Sequence, residues 1–229
     1  MNTEVCLSLL QFSDGLFPAG AYAHSLGLET YVQAGTISDA AGVEAFIRAF
    51  LEGSAAPTDA KAATLARRAA LEGDLAACLT LDGILDAAKV VQESREASRQ
   101  MGKQILRIAV NLTPQALLRE FYSSASSGAT PGHQAVAWGA VAGALNWPER
   151  ETRGAYLYSS AAALVGAALR LLPLGQLAGQ GVLFRLLPLI AQLAEPAPSD
   201  EDADLWSFAP ALEIVAMQHA RLEARLFRS

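Results

Sequence analysis

The sequence predicts an all-α, single-domain protein, and three observations predict it. Hydrophobic residues make up 52% of the 229 positions and charged ones 17%, a balance that builds a core and excludes overall disorder. Alanine and leucine fill the segments between prolines and glycines, while the valine–isoleucine alternation of strands is nearly absent. Apolar residues recur at helical spacing, as at Val43, Phe46, Ile47 and Phe50. The segment lengths give a bundle of about ten helices packed through small residues.

Taken in order, residues 5–11 form a short helix. LLQFSDGLFPAGAYAHSLGLETYV follows, residues 9–32, where Asp14-Gly15 and Pro18-Ala19-Gly20 punctuate the chain. That pattern predicts a tight turn feeding a helix that ends near Ala34, with Gly35 as its C-cap. On this helix Tyr22, Ser25, Leu26 and Glu29 share a face, with His24 beside them. The ordinary reading is packing, with the histidine satisfied locally; the sharper reading is a surface that meets another molecule. Ser38 is expected to cap a helix through Leu51, and Thr58 another to Glu72, stopped by Gly73. Asp74 opens a helix through Ala88, and a long helix follows from about Val91 to Val110. Arg95, Arg99, Lys103 and Arg107 on it read either as a solvated basic face or as a docking strip for an acidic partner.

Thr113-Pro114 opens a short helix to about Tyr122, and residues 123–131 read as a Ser/Gly-rich loop. GHQAVAWGAVAGAL comes next, with Gly139 and Gly143 on one helix face. Pro148 starts another helix, where Ala161, Ala162, Gly166 and Ala167 extend the small-residue theme; a close seam between these helices, or across a homodimer, is expected. From Gly154 to Ala194 the only charges are Arg170 and Arg185. The tyrosines and serines within it, and the break at Pro173, favour a buried helical hairpin over a membrane span, which needs about 20 apolar residues. Residues 195–204, EPAPSDEDAD, form an acidic Pro-rich linker, and residues 205–229 a docking tail. In that tail Leu212, Val215, His219, Leu222 and Leu226 make a helical seam, with Gln218, Arg221, Arg225 and Arg228 on another side. It either completes the core or docks on another chain.

The formal net charge of −6 argues against nucleic acid, and no basic tract suggests an anionic membrane surface. Cys6 and Cys78 make no framework or Cys-x-x-Cys pair. MNTEVCLSLL has no basic region or cleavage site, so a cytoplasmic protein is expected. No nucleophile elbow, His-Glu-x-x-His or Cys/His pair is present, which points away from an enzyme. His24, His133 and His219 are far apart in sequence, without the close ligand pairs of zinc or nickel sites. At most, weak metal contact near His24 and Cys6 is expected, with no stably held cofactor.

LLQFSDGLFPAGAYAHSLGLE, GHQAVAWG, YLYSSAAALVGAALRLLPLGQLAGQ and PALEIVAMQHARLEARLFRS occur in that order. Together they closely resemble the urease accessory protein F (UreF) family over nearly the whole chain. The resemblance implies a non-catalytic, cytoplasmic, all-α homodimer that binds a UreD/UreH-type accessory protein. With it, such a protein recruits the GTPase UreG to the urease apoprotein, where nickel is inserted during metallocentre assembly; nickel is handled by the complex. It implies partner-binding roles for the N-terminal turn and the C-terminal tail, and so for Tyr22, His24, Ser25, Glu29, Arg221, Arg225 and Arg228. Members often carry Ser where Ala21 stands and His-Glu where His219-Ala220 stands. A likeness to GTPase activators makes regulation of the UreG cycle the alternative, although no arginine is singled out for it. The physical expectation is a Gly20-Ala21-Tyr22 turn packed near the Arg221–Arg228 face, with Tyr22 and Glu29 offering acceptors to Arg225.

Overall fold

The computed structural model describes residues 2–196 and 204–229. Its helices are α1 (Thr3–Ser13), α2 (Leu28–Gln33), α3 (Ala40–Phe50), α4 (Lys61–Leu71), α5 (Leu75–Ala88), α6 (Gln92–Leu112), α7 (Ala116–Ser127), α8 (Gln134–Ala144), α9 (Glu149–Leu171), α10 (Gln176–Leu193) and α11 (Pro210–His219). No strand occurs among the described residues, and the fold is all helical as the composition requires. Most of the expected linker, residues 197–203, lies outside the described residues.

The centre of the bundle is a seam between α4 and α8, built backbone to backbone. A methyl placed on Gly139 would lie 2.2 Å from the Ala63 carbonyl oxygen, and one on Gly143 would lie 2.5 Å from that of Arg67. Only glycine fits at either position. The facing surface of α4 is Ala63, Ala66, Arg67 and Ala70, with Ala63 and Ala66 fully buried. The expected small-residue seam therefore exists, but its partner is the alanine-rich α4 rather than α9 or a second copy. Trp138 and Trp147 meet edge to face, and Phe12 of α1 packs on Trp147. The Trp147 indole N–H donates to Ser8 Oγ at 2.7 Å, which fastens α1 to the core.

Several boundaries differ from those predicted, each for a local reason. Asp39 caps α3 in place of Ser38, its carboxylate accepting from the Gly42 amide at 2.8 Å. Thr58 starts no helix, because α3 continues through a π-helical stretch, Leu51–Ala60, directly into α4. Pro57 within that stretch has no N–H to give, and the wider turn absorbs the break. Helix α7 starts at Ala116 and runs to Ser127, where Gly128 at φ 81° ends it. The serines read as a loop are thus mostly helical.

Asp82 explains the Gly132-His133-Gln134 motif. Its carboxylate accepts from the Thr130 hydroxyl and the Gly132 amide at 2.6 Å each, and from the His133 amide at 2.8 Å. The buried His133 ring faces Ser98 Oγ at 3.1 Å and Asp86 at 2.8 Å. Burial holds His133 below the ordinary histidine value, although the hydrogen bond to Asp86 opposes it. Arg99 makes paired hydrogen bonds to Asp86 at 2.8 and 2.7 Å, and Arg95 donates to the Lys89 carbonyl. These bonds tie both arginines to the end of α5 and the residue after it.

Helices α9 and α10 form the expected hairpin, buried on one side only. Leu177 and Phe184 on the outer face of α10 are 88% and 75% exposed. No described helix is long and apolar enough to cross a membrane. Gly139→Ala is expected to cost roughly 1–3 kcal/mol through overpacking at the α4–α8 seam. Gly166→Ala on α9, with nothing within 4 Å of the new methyl, should instead stabilise by about 0.5–1 kcal/mol; urea denaturation of the two variants checks both signs.

Candidate partner-docking site

The N-terminal stretch is shaped by backbone angles before any partner arrives. Asp14 Oδ1 accepts from the Leu16 amide at 2.6 Å, closing a turn after α1. Gly20 at φ 97° then leads into a single 3₁₀ turn, Ala21–Ala23. Leu26 and Gly27 both take left-handed angles, φ 50° and 92°, and only at Leu28 does α2 begin. Tyr22, Ser25 and Leu26 therefore do not lie on a helix with Glu29, as their spacing suggested. A methyl on Gly27 would sit 3.2 Å from Ala216, so this kink is where α11 closes against the turn.

Helix α11 stops at His219, and the chain then turns back over the N-terminal stretch. The Arg228 amide donates to the Ala23 carbonyl at 2.9 Å. The Ser229 backbone oxygen accepts from the Ser25 and Leu26 amides at 2.5 and 3.1 Å and from the Ser25 hydroxyl at 2.9 Å. Ser229 Oγ meets His24 Nδ1 at 2.8 Å. Gln33 donates its side-chain amide to the Ala224 carbonyl at 2.8 Å. The helical seam expected to run on to Leu226 is absent, because the tail's amides are spent on the N-terminal stretch instead.

Glu29 is the hub of this docking and is only 2% exposed. One carboxylate oxygen accepts from the Leu226 amide at 2.6 Å, and the other from the Phe227 amide at 3.1 Å and His219 Nε2 at 2.9 Å. Burial works against ionisation here, but the Leu226 amide, the His219 ring and the Phe227 amide outweigh it and hold the carboxyl below its ordinary value. His219 Nδ1 faces Glu93 at 2.8 Å, and the other oxygen of Glu93 pairs with Arg225 at 2.8 Å. The His219 ring thus has a carboxylate oxygen within hydrogen-bond distance of each nitrogen. Arg225 therefore pairs with Glu93 on α6, not with Tyr22 or Glu29.

A second clamp comes from Arg170 at the end of α9. Its guanidinium carbon lies 3.7 Å from the Tyr22 ring centre and 4.1 Å from that of Phe227, between the two rings. It also donates to the Tyr22 carbonyl at 2.6 Å. One cation thus ties the turn, the tail and the core together, a contact of about 0.5–2 kcal/mol per ring depending on exposure.

The structure brings Tyr22, His24, Ser25, Glu29, Arg225 and Arg228 into one docked assembly. Arg221 stands at its edge, exposed. His24, Ser25 and Glu29 are buried beneath the tail, while Tyr22 is 73% exposed and Arg225 and Arg228 face outward. Burial, with the charge of Arg228 nearby, holds His24 below the ordinary histidine value. Sequence reasoning missed Arg170 and Glu93. A lone arginine inside an apolar run was the available signal for the first; none pointed to the second. Among the described residues no group of three or more His, Cys, Asp or Glu is placed to hold a metal ion. Burial and the nearby carboxylates of Asp74 and Asp82 push the Cys78 thiol up to about 12, away from nucleophilic chemistry.

The fold and site define a helical protein whose most elaborate feature is a self-docked terminal arm. Comparison with known proteins places it further. A family model described as UreF matches residues 37–187. The chain is 34% identical over 223 residues to a urease accessory protein UreF of Bacillus sp. (strain TB-90), covering 97% of this chain and 98% of that one. It is 35% identical over 230 residues to that of Paenarthrobacter aurescens (strain TC1), covering all of both. The corresponding protein of Arthrobacter sp. (strain FB24) is 35% identical over 223 residues, 97% of this chain and 96% of the relative. The chain belongs to the UreF family of urease accessory proteins.

Because Glu29 is held below its ordinary value of 4.5, its ionised form contributes stability above that value. The contribution falls away as pH drops through the lower folded value. Hydrogen exchange at Leu226 and Phe227, corrected for intrinsic rates, should lose protection in that acid window while α4 and α8 keep theirs. Arg170→Ala should release the same two amides at neutral pH.

Proposed function

We propose that this chain is a non-catalytic adaptor that works in the cytoplasm with a UreD/UreH-type accessory protein. Together they recruit the GTPase UreG to the urease apoprotein, where nickel, as cargo, is inserted into the metallocentre. Family membership supports the setting, and the docked C-terminal arm carries the reading. A segment held by a buried carboxylate, two clamping rings and a sandwiched arginine is a preorganised surface, which lowers the ordering cost of binding.

The outer side of that arm supplies the contact chemistry. Trp206, Phe208, Ile214, Met217 and Leu226 all stay exposed along it, with Arg221, Arg225 and Arg228 nearby. Exposed aromatic and methionine side chains beside arginines have the composition of an interface. We assign this arm to the UreD/UreH-type partner and to UreG. Tyr22 joins the surface, while His24, Ser25 and Glu29 serve it from below.

The second face belongs to a homodimer. Leu177, Phe184 and Leu187 of α10 and Tyr158 of α9 line a shallow apolar groove on the outer side of the hairpin. A self-complementary patch of this kind suits two-fold pairing. Phe184→Asp is expected to shift the chain from dimer to monomer in sedimentation, without changing its helical content.

Arg225→Ala tests the arm. In a pull-down with the UreD/UreH-type protein it should reduce retained UreG several-fold, and unchanged retention would reassign the arm. Adding the wild-type chain to the complex should leave the rate of GTP hydrolysis by UreG unaltered; an altered rate would favour the alternative, a regulator of the GTPase cycle.

A further inference from the structure

A cavity of about 110 Å³ lies beneath the C-terminal arm, between the π-helical stretch, α6, α9 and α11. Nothing in the adaptor reading uses it. Its position is set by three strap contacts. The Thr58 hydroxyl donates to the Trp206 carbonyl at 2.5 Å, Lys61 Nζ to the Asp204 carbonyl at 2.9 Å, and the Phe208 amide to the Gly53 carbonyl at 2.8 Å. The strap and α11 thus roof a space whose floor is the core.

Polar groups line that space and keep hydrogen-bonding capacity beyond what the fold uses. Tyr156 is only 4% exposed and lines the cavity, and its hydroxyl hydrogen-bonds to no described residue. Burial and the nearby Asp59 charge push its phenol well above the ordinary value, so it is a neutral O–H donor. Lys89 pairs with Asp59 on the same wall, Nζ donating to Oδ2 at 3.0 Å and lying 2.8 Å from Oδ1, yet the buried Oδ1 accepts no hydrogen bond of good geometry. The remaining N–H groups of Lys89 are spare donors. Phe50, Met101 and Leu212 supply an apolar side.

We propose that this cavity binds a small neutral amide. Tyr156 and Lys89 donate to its carbonyl, Asp59 accepts from its N–H, and its hydrocarbon part lies against Phe50, Met101 and Leu212. The paired charges of Lys89 and Asp59 cancel, which disfavours an anion or a cation. An apolar cavity of about 150 Å³ admits benzene, so the space here suits an amide of about five or six non-hydrogen atoms. Because Ser207, Ala209 and Ala216 form the roof, an occupied cavity also holds the arm down. The site stands independently of which partners the arm meets.

The probe is 2-pyrrolidinone, with cyclopentane as its ring-shaped control lacking amide atoms. Ligand-observed NMR titration of the full chain should give saturable binding of the lactam and much weaker binding of cyclopentane. Tyr156→Phe should weaken the lactam roughly five- to tenfold, the loss of one hydrogen bond. Ser94→Leu, which fills the cavity from α6, should abolish binding while the melting temperature is retained. Lactam should also slow hydrogen exchange across residues 204–219. Absence of saturable binding, or binding that cyclopentane matches and Tyr156→Phe leaves unchanged, would overturn the proposal.

Discussion

A carboxylate with almost no access to water is the constraint on which the rest depends. Glu29 must be satisfied where it lies, since a buried charge without partners costs several kcal/mol. The partners at hand are the amides of Leu226 and Phe227 and the ring of His219. Satisfying Glu29 therefore means bringing the end of the chain back to its beginning. Helix α11 must end at His219 for this to happen, because amides committed to a helix could not reach the carboxylate. The kink at Leu26 and Gly27 sets α2, and with it Glu29, against the returning tail.

The remaining contacts extend that logic outward. His219 passes the link to Glu93 on α6, and Glu93 passes it to Arg225. Arg170 does the same from α9, holding a ring of the turn and a ring of the tail. The N-terminal turn and the C-terminal tail are thus tied to two of the longest helices. The bundle itself is rigid where glycine and alanine let α4 and α8 touch. What the bundle displays at its edge is a surface held in place by the chain's own contacts.

The fold class and most helices were legible in the sequence, because apolar spacing and Gly/Pro punctuation are local. The start of α5 at Asp74 and the stop at Gly73 follow directly from cap chemistry. The continuous α3–π–α4 segment was not legible: Thr58 looks like a cap until Trp206, far away in sequence, claims its hydroxyl. The same holds for the tail, where helical spacing at Leu222 and Leu226 was overridden by Glu29. Six of the seven site residues named from the family motifs converge in space. The pairing among them was misread, because Glu93 sits on a helix whose charges look like any solvated face. Close packing at Gly139 and Gly143 was expected, but not its partner, since spacing shows that a face is thin and not what lies across it.

In the proposed function the chain works through an arm whose docking Glu29 enforces. The most direct measurement is gel filtration of the Glu29→Ala chain co-expressed with the UreD/UreH-type protein and UreG, after circular dichroism has shown its bundle to be folded. The wild-type chain is expected to elute in a ternary complex and the variant to elute apart from UreG. A folded variant that enters the complex as fully as the wild type would contradict it.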